Sequence, residues 1–273
     1  MSNFVCPVCN GKLISNGKSL SCKKGHTYDI AKSGYTNLFL TQQIKAKRHG
    51  DDKLMVSCRQ SFLNKGYYNV LLEKVCDTIG KYAKNNHRIL DAGCGECWYT
   101  AHIYEYLAKN LIITKMFAID ISKDALASGA KRNKEIELAV ASVFHLPVAT
   151  EFCDMLISIF APFSGDEFSR VLKKDGILIK VIPLEKHLMN LKKAVYDKPY
   201  ENEIEISELK GFILIEKQEI RGTIHLSCNE DILNLFTMTP YYYKTSAEDQ
   251  EKLSNLSELD TEIEFGILAY RKI

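Results

Sequence analysis

Between residues 88 and 182 short apolar runs alternate with helical stripes. Ile89-Leu90, Met116–Ile119, Leu138–Ala141, Asp154–Phe160 and Ile177–Ile182 are brief and bounded by turn residues, as suits strands buried on both faces. Between them, Ile103, Tyr104, Leu107 and Ala108 recur at helical spacing across Thr100–Lys109, Ser122 stands as the N-cap of a helix running to Lys131, and Asp166–Leu172 reads as a helix stopped by Asp175-Gly176. Upstream, Leu71, Leu72, Val75, Ile79 and Tyr82 predict a helix that packs on the first strand. Downstream, His187 begins a helical run with Leu188, Leu191 and Val195, and Asn229 and Ser246 look like N-caps of two more helices. Phe212–Ile220 and Glu262–Tyr270 are β-rich and would complete the sheet, the last as an antiparallel insertion. The alternation predicts an α/β fold with an open, largely parallel sheet. Ligands of such sheets sit at the carboxyl ends of the strands, where Asp91, Gly93, Asp120, Ser142 and Ala161 all fall.

Composition narrows the class. Hydrophobic residues make up 46% of 273, enough for one large domain and a small one, and disorder is excluded. No apolar run approaches the roughly 20 residues of a membrane span. The N-terminus lacks a signal-peptide pattern, so a cytoplasmic location is expected. The net charge of +2 is unevenly placed: residues 1–50 carry eight Lys or Arg (12, 18, 23, 24, 32, 45, 47, 48) against Asp29, which leaves −5 for the remainder. A basic end of this kind points to nucleic acid. Nine cysteines, several of them in apolar runs, argue for metal binding and core packing over disulfides.

The first metal candidate lies in the basic end. Cys6-Pro-Val-Cys9 is followed by Cys22 and, three residues on, His26. A C-x-x-C knuckle with a C-x-x-x-H partner offers four ligands to tetrahedral zinc, a closed and therefore structural site. Gly11, Asn16 and Gly17 between the pairs suit hairpin turns. A redox C-x-x-C would need neither Cys22 nor His26. With three thiolates and Zn²⁺ the first 50 residues stay near +6, a basic platform. Residues 41–66 open on Gln42, Gln43, Lys45, Lys47, Arg48 and His49 and read as a basic linker between a zinc domain, 1–40, and a catalytic domain, 67–273.

Residues 88–99 organise the rest. Ile89-Leu90 ends in Asp91, glycine stands at 93 and 95, and a helix follows. The third glycine of the dinucleotide fingerprint is missing, because that position is Trp98. The acid ahead of the glycines resembles motif I of class I S-adenosylmethionine (SAM)-dependent methyltransferases, in which a carboxylate faces the cationic end of the ligand. Asp120, ending the next strand, suits the ribose hydroxyls. Ser142, just after the third strand, falls where that fold lines the adenine pocket. A strand-to-helix turn without a ligand would leave the paired acids unexplained.

The chain as a whole resembles the RlmA-type 23S rRNA guanine-N1 methyltransferases. The resemblance rests on the Cys6, Cys9, Cys22, His26 knuckle with Lys32-x-Gly34-Tyr35-x-Asn37-Leu38, then Phe62-Leu63-x-x-Gly66-x-Tyr68 and Leu90-Asp91-x-Gly93-Cys94-Gly95-Glu96. Asp120-x-Ser122-Lys123, Val140-Ala141-Ser142, Ile159-x-Ala161-Pro162, His187-Leu188 and Met238-Thr239-Pro240 extend it. It implies a homodimer with a zinc domain and a SAM domain that methylates N1 of a guanine in a hairpin of 23S rRNA. It also implies SAM contacts from Tyr68, from Gly95-Glu96 and from His187. Taken alone, Tyr68 reads as a helix-start aromatic and His187 as a helix cap. Cys97 replaces a glycine common in the family's turn, Ser158 an arginine, and Lys174-Asp175-Gly176 a Pro-Gly-Gly turn. Phe160, Phe163 and Tyr241–Tyr243 are candidate stacking faces for a base. Asp166 and Glu167 are acids near the reacting edge, although a helix start favours acids on its own account. Two rivals stand beside this reading: a methyltransferase of small molecules, and a zinc RNA-binding module on a degenerate fold.

Overall fold

The computed structural model describes residues 1–40, 50–204 and 209–273. Lys45, Lys47 and Arg48, with the rest of the basic stretch 41–49, lie outside the described residues. The sheet has eight strands: β4 (Tyr35–Asn37), β5 (Arg88–Ala92), β6 (Lys115–Asp120), β7 (Glu137–Val140), β8 (Cys153–Ile159), β9 (Leu172–Pro183), β10 (Phe212–Leu226) and β11 (Leu259–Lys272). Their order is β10-β11-β9-β8-β5-β6-β7-β4. Strands β4 to β9 pair in parallel, while β11 enters antiparallel between β9 and β10. The chain runs outward from β5 to β7 and then returns to lay β8 against β5. A crevice opens at the carboxyl ends of two such diverging strands.

The two faces of the sheet are covered differently. One packs on helices α1 (Lys53–Asn64), α2 (Asn69–Tyr82), α3 (Trp98–Lys109), α4 (Lys123–Gly129), α6 (Met189–Val195), α7 (Asn229–Thr237) and α8 (Ala247–Ser254). The other packs on α5 (Gly165–Val171) and on the N-terminal ribbon, whose strands β1 (Ile14–Ser15), β2 (Ser19–Ser21) and β3 (Thr27–Asp29) form a small antiparallel sheet. Phe4, Leu13, Leu20 and Leu38 share one apolar core with Leu90, Phe117, Phe168 and Leu178. The ring of Phe4 meets Phe117 edge-on at 5.5 Å, and the Val5 amide donates to the Pro147 carbonyl at 2.8 Å. The segment after the ribbon supplies β4, which extends the large sheet beside β7. The ribbon thus does the covering work that a helix would otherwise do.

Several sequence expectations change here. Residues 53–64 of the expected linker form α1, capped by Asp52, whose carboxylate accepts from the Met55 amide at 3.1 Å. Met55, Val56, Phe62 and Leu63 bury its inner face, so the stretch is amphipathic helix and not spacer. Helix α5 covers Gly165–Val171, within a residue of the expected Asp166–Leu172, but Asp175-Gly176 is not what stops it. Leu172 is fully buried and opposes Cys153, so the chain goes straight into β9. Asp175 then takes a left-handed φ of 61° as a kink within that strand. Ser122 and Ser246 cap their helices as expected, accepting from Ala125 and Asp249. Asn229 does not, because its amide is drawn 2.7 Å from the carbonyls of Leu253 and Leu256 and binds the end of α8 to the start of α7.

Candidate active site and zinc knuckle

The four ribbon ligands converge. Cys6 Sγ, Cys9 Sγ, Cys22 Sγ and a ring nitrogen of His26 lie within 4.8 Å of one another. Cys9 and Cys22 are 3.7 Å apart, and His26 Nδ1 stands 3.4 Å from Cys6 and 3.3 Å from Cys22. Zinc–sulfur bonds of about 2.3 Å and zinc–nitrogen bonds of about 2.0 Å set tetrahedral edges of about 3.6–3.8 Å, so the donor set fits Zn²⁺. Two tight turns hold it: the Asn10 amide bonds the Cys6 carbonyl, and the Gly25 amide bonds the Cys22 carbonyl. The Tyr28 hydroxyl lies 3.1 Å from Cys6 Sγ. Burial opposes ionisation of Cys6, but the contacts from Tyr28 and from the backbone of Val8 and Cys9 outweigh it and bring the thiol down to about 6. Lys12, Lys18, Lys23, Lys24 and Lys32 are all exposed on this unit.

At the crevice, the sheet brings Asp91, Gly93, Gly95, Asp120, Ser142 and Ala161 to one edge. The Gly93 and Cys94 amides both donate to the Ile119 carbonyl, at 2.9 and 3.0 Å, pinning the turn to the neighbouring strand. Gly93 has φ +89°, and a Cβ there would stand 2.4 Å from the Ala161 Cβ. Only glycine lets the turn close on the segment after β8. Asp120 accepts from the Gly95 amide and from the Ser122 amide, each at 2.8 Å. Asp91 is 2% exposed. Its Oδ2 accepts from the Thr100 hydroxyl at 2.6 Å, while Oδ1 is buried with no partner among the described residues. Burial pushes its carboxyl up to about 7, the Thr100 bond opposing and the nearby Asp120 adding to it. An unpartnered buried carboxylate oxygen beside a glycine turn fits a cationic ligand group. Ser142 opens a tight turn, its Oγ accepting from the Phe144 amide.

The other expected residues arrive from farther off. Glu96 is buried and held by Arg132, whose Nε donates at 2.6 Å, yet its Oε1 has no partner among the described residues. Tyr68 and His187, 119 positions apart, meet with the Tyr68 hydroxyl 3.4 Å from His187 Nε2. His187 Nδ1 accepts from the Glu264 amide at 3.2 Å, so the neutral ring carries its proton on Nε2. Burial, helped by the Lys192 charge, lowers this imidazole to about 3. Phe265 joins the group, its ring 4.7 Å from His187, 5.0 Å from Tyr68 and 5.6 Å from Phe160. Phe160 follows β8 with φ +54° and is 43% exposed, a rare backbone state for a bulky residue. Glu167 is taken up by Arg170 at 2.7 Å and by the Leu146 amide, and Asp166 is exposed on the first turn of α5. Helix α1 crosses over the glycine turn and sets Arg59 against Gly95. That residue and Tyr99 gave no motif by which the sequence would have marked them.

Fold and sites together define a class I SAM-dependent methyltransferase joined to a zinc ribbon. The RlmA N-terminal zinc-ribbon family matches residues 4–47, and the methyltransferase-domain family matches residues 90–180. YxjB of Bacillus subtilis, whose own assignment as a 23S rRNA (guanine-N(1)-)-methyltransferase is provisional, is 29% identical over 98% of this chain and 96% of its own. A Micromonospora griseorubida protein with the same provisional assignment is 30% identical over 68% of this chain and 67% of its own. The 23S rRNA (guanine(748)-N(1))-methyltransferase of Streptomyces fradiae is 31% identical over 70% of this chain and 66% of its own. The chain belongs to the RlmA-type 23S rRNA guanine-N1 methyltransferase family. No helix among the described residues is long and apolar enough to cross a membrane.

Proposed function

We infer that this protein transfers a methyl group from SAM to N1 of a guanine in a hairpin of 23S rRNA. The observation that carries the reading is the buried, half-satisfied Asp91 carboxylate beside the glycine turn, in a chain that also carries a basic zinc ribbon. Bound SAM supplies an electrophilic methyl on a sulfonium, so the protein's task is alignment. Asp91 Oδ1 accepts from the ligand's ammonium, Asp120 takes the ribose hydroxyls, and Gly93 and Gly95 let the backbone approach. Ser142 borders the adenine, and Glu96 closes the turn. Tyr68 and His187 flank the methionyl arm; a neutral His187 puts no positive charge beside the sulfonium.

The guanine must leave its stack to expose N1. Phe160, half-exposed at the carboxyl end of β8, offers it a face, and its left-handed backbone is the kind of strain that collects at working sites. His187 is excluded as the base that takes the N1 proton: its pKa is too low, and Nδ1 is occupied by a backbone amide. The exposed lysines 12, 18, 23, 24 and 32, with Lys45, Lys47 and Arg48, meet phosphates, and binding weakens steeply with salt. The enzyme works as a homodimer in the cytoplasm, with residues 1–40 as the RNA-recognising unit and 67–273 as the catalytic one.

The test is transfer of labelled methyl from SAM to a hairpin transcript of large-subunit rRNA, with mass mapping of the product. One N1-methylguanine is the expected result. SAM binding without transfer to rRNA would move the reading to a small-molecule substrate, and loss of both would leave an RNA-binding module.

A further inference from the structure

We propose that Arg59 and Tyr99 form the seat for the methionyl carboxylate of SAM. The inference rests on the methyltransferase reading and extends it to two residues outside the glycine turn and the acids. The cofactor's amino-acid end carries an ammonium and a carboxylate on the same carbon, so two opposite charges must be met within a few ångströms. The crevice holds the acids Asp91, Asp120 and Glu96, with Asp51, the ion-pair partner of Arg59, in electrostatic reach of Asp120. Glu96 is already matched by Arg132, and Asp91 has an oxygen with no partner among the described residues to offer the ammonium. The carboxylate needs donors.

Arg59 reaches the place. A Cβ on Gly95 would lie 3.4 Å from its Nη1, so the guanidinium rests directly on the turn. Asp51 holds Nη1, and the Met238 carbonyl accepts from Nη2 at 3.1 Å. Among the described residues these bonds use two of the five guanidinium N–H donors. The anchors also explain how α1 is fixed across the crevice. The Asp51 carbonyl accepts from the Ser122 hydroxyl, and the space at Gly50 is closed by Ile121 and Ser122. Tyr99 is the second, independent observation. Its hydroxyl is buried and has no hydrogen-bond partner among the described residues. Burial and the neighbouring Tyr68 push that hydroxyl far up, and the Arg59 guanidinium opposes them, which puts the three groups within electrostatic reach. A buried hydroxyl without a partner is costly in an empty site and is repaid by a charged acceptor. A guanidinium is suited to a carboxylate by its planar fork.

The experiment is calorimetric binding by the full-length, zinc-loaded protein of two ligands: SAM and decarboxylated SAM. The second keeps the nucleoside, sulfonium and ammonium and lacks only the carboxylate. The wild type should bind SAM at least tenfold more tightly. Arg59→Met should weaken SAM about 10- to 100-fold and the decarboxylated ligand less than about threefold, as loss of a charged hydrogen bond implies. Tyr99→Phe, which keeps the ring and its packing, should weaken SAM about 5- to 10-fold and leave the other ligand unchanged. Equal losses for both ligands would make Arg59 a staple for α1 and overturn the seat, as would equal wild-type affinities. A wild type that binds neither ligand would overturn the methyltransferase reading itself.

Discussion

The zinc knuckle and the cofactor crevice both crowd anionic groups together, but they resolve the crowding in opposite ways. The knuckle draws its ligands from 21 consecutive residues, and every donor atom faces the other three. The crevice gathers Arg59, Tyr68, Asp91, Tyr99, Asp120 and His187 from separate elements, and it leaves Asp91 Oδ1, Glu96 Oε1 and Tyr99 Oη without partners among the described residues. One site is closed by its own ligands, as a structural metal site should be. The other keeps three buried polar atoms open to a ligand. Asn234 Nδ2 and Tyr270 Oη, on α7 and β11, also lack partners among the described residues, so it is the convergence of three such atoms about one turn, and not buried polarity alone, that sets the crevice apart.

The largest effect should come from opening the closed site. Removing zinc with a chelator, or replacing one ligand by Cys9→Ser, should destabilise far more than the ribbon. Phe4, Leu13, Leu20 and Leu38 share a core with Leu90, Phe117 and Phe168 of the catalytic sheet, so loss of the knuckle uncovers that face. Structural zinc contributes on the order of 10 kcal/mol of apparent binding free energy in small zinc domains. A loss of about 5 kcal/mol or more is expected here, seen as a drop of the main melting transition together with new binding of a hydrophobic dye. A main transition that ignores the chelator would mean that ribbon and sheet unfold independently.

This contrast also explains what the sequence could and could not reveal. The knuckle is local, so cysteine spacing alone located it. The glycine turn with Asp91, and Asp120 one strand on, were equally readable, because a parallel sheet of βα units brings successive strand ends to one edge. Tyr68 and His187 surfaced only through family resemblance: they meet across 119 positions, and no periodicity links them. Arg59 is one polar residue on an amphipathic helix, a position at which charge is ordinary. Strand β4, three residues that join the sheet's far edge beside β7, is too short to show a period. The span of α5 is legible to within a residue, but its stop is not, because Asp175-Gly176 looks like a helix stop and is in fact a kink inside β9.

A middle-sized effect tests the open site's frustration. Asp91 has its carboxyl raised to about 7 in the fold, against about 3.9 unfolded. The folded state therefore binds more protons than the unfolded state between those values, and stability falls as pH rises through that window. Ligand-free protein should melt higher at pH 5 than at pH 8, with Asp91 contributing on the order of 1–4 kcal/mol to the difference. Asp91→Asn keeps an acceptor for Thr100 and removes the buried charge. It should raise the melting temperature at pH 8 and not at pH 4, while weakening SAM binding. A variant less stable than wild type at pH 8 would show that Asp91 is satisfied without a ligand and would erase the contrast with the knuckle.

The smallest effect concerns Cys97. That residue sits in the left-handed region at φ 60° immediately before α3, a conformation that disfavours a side chain by about 1–2 kcal/mol. Its sulfur is accommodated because the facing helix α4 ends in glycine: a Cβ on Gly129 would lie 2.7 Å from Cys97 Sγ and 3.2 Å from the Glu96 backbone carbon. The two positions therefore act as a pair, small where the other is large. Gly129→Ala should destabilise the native chain by about 1–3 kcal/mol through overpacking. With Cys97→Gly in the background the sulfur is gone and only the Glu96 contact remains, so the same change should cost clearly less, a coupling of about 1 kcal/mol in a double-mutant cycle read by thermal denaturation. Additive losses would mean that the backbone of Glu96, not the Cys97 side chain, sets the limit at Gly129. The turn's tolerance of cysteine would then owe nothing to α4. The outcome bears on the crevice, because Cys97 follows Glu96 and fixes how the turn enters α3, and hence where Tyr99 stands.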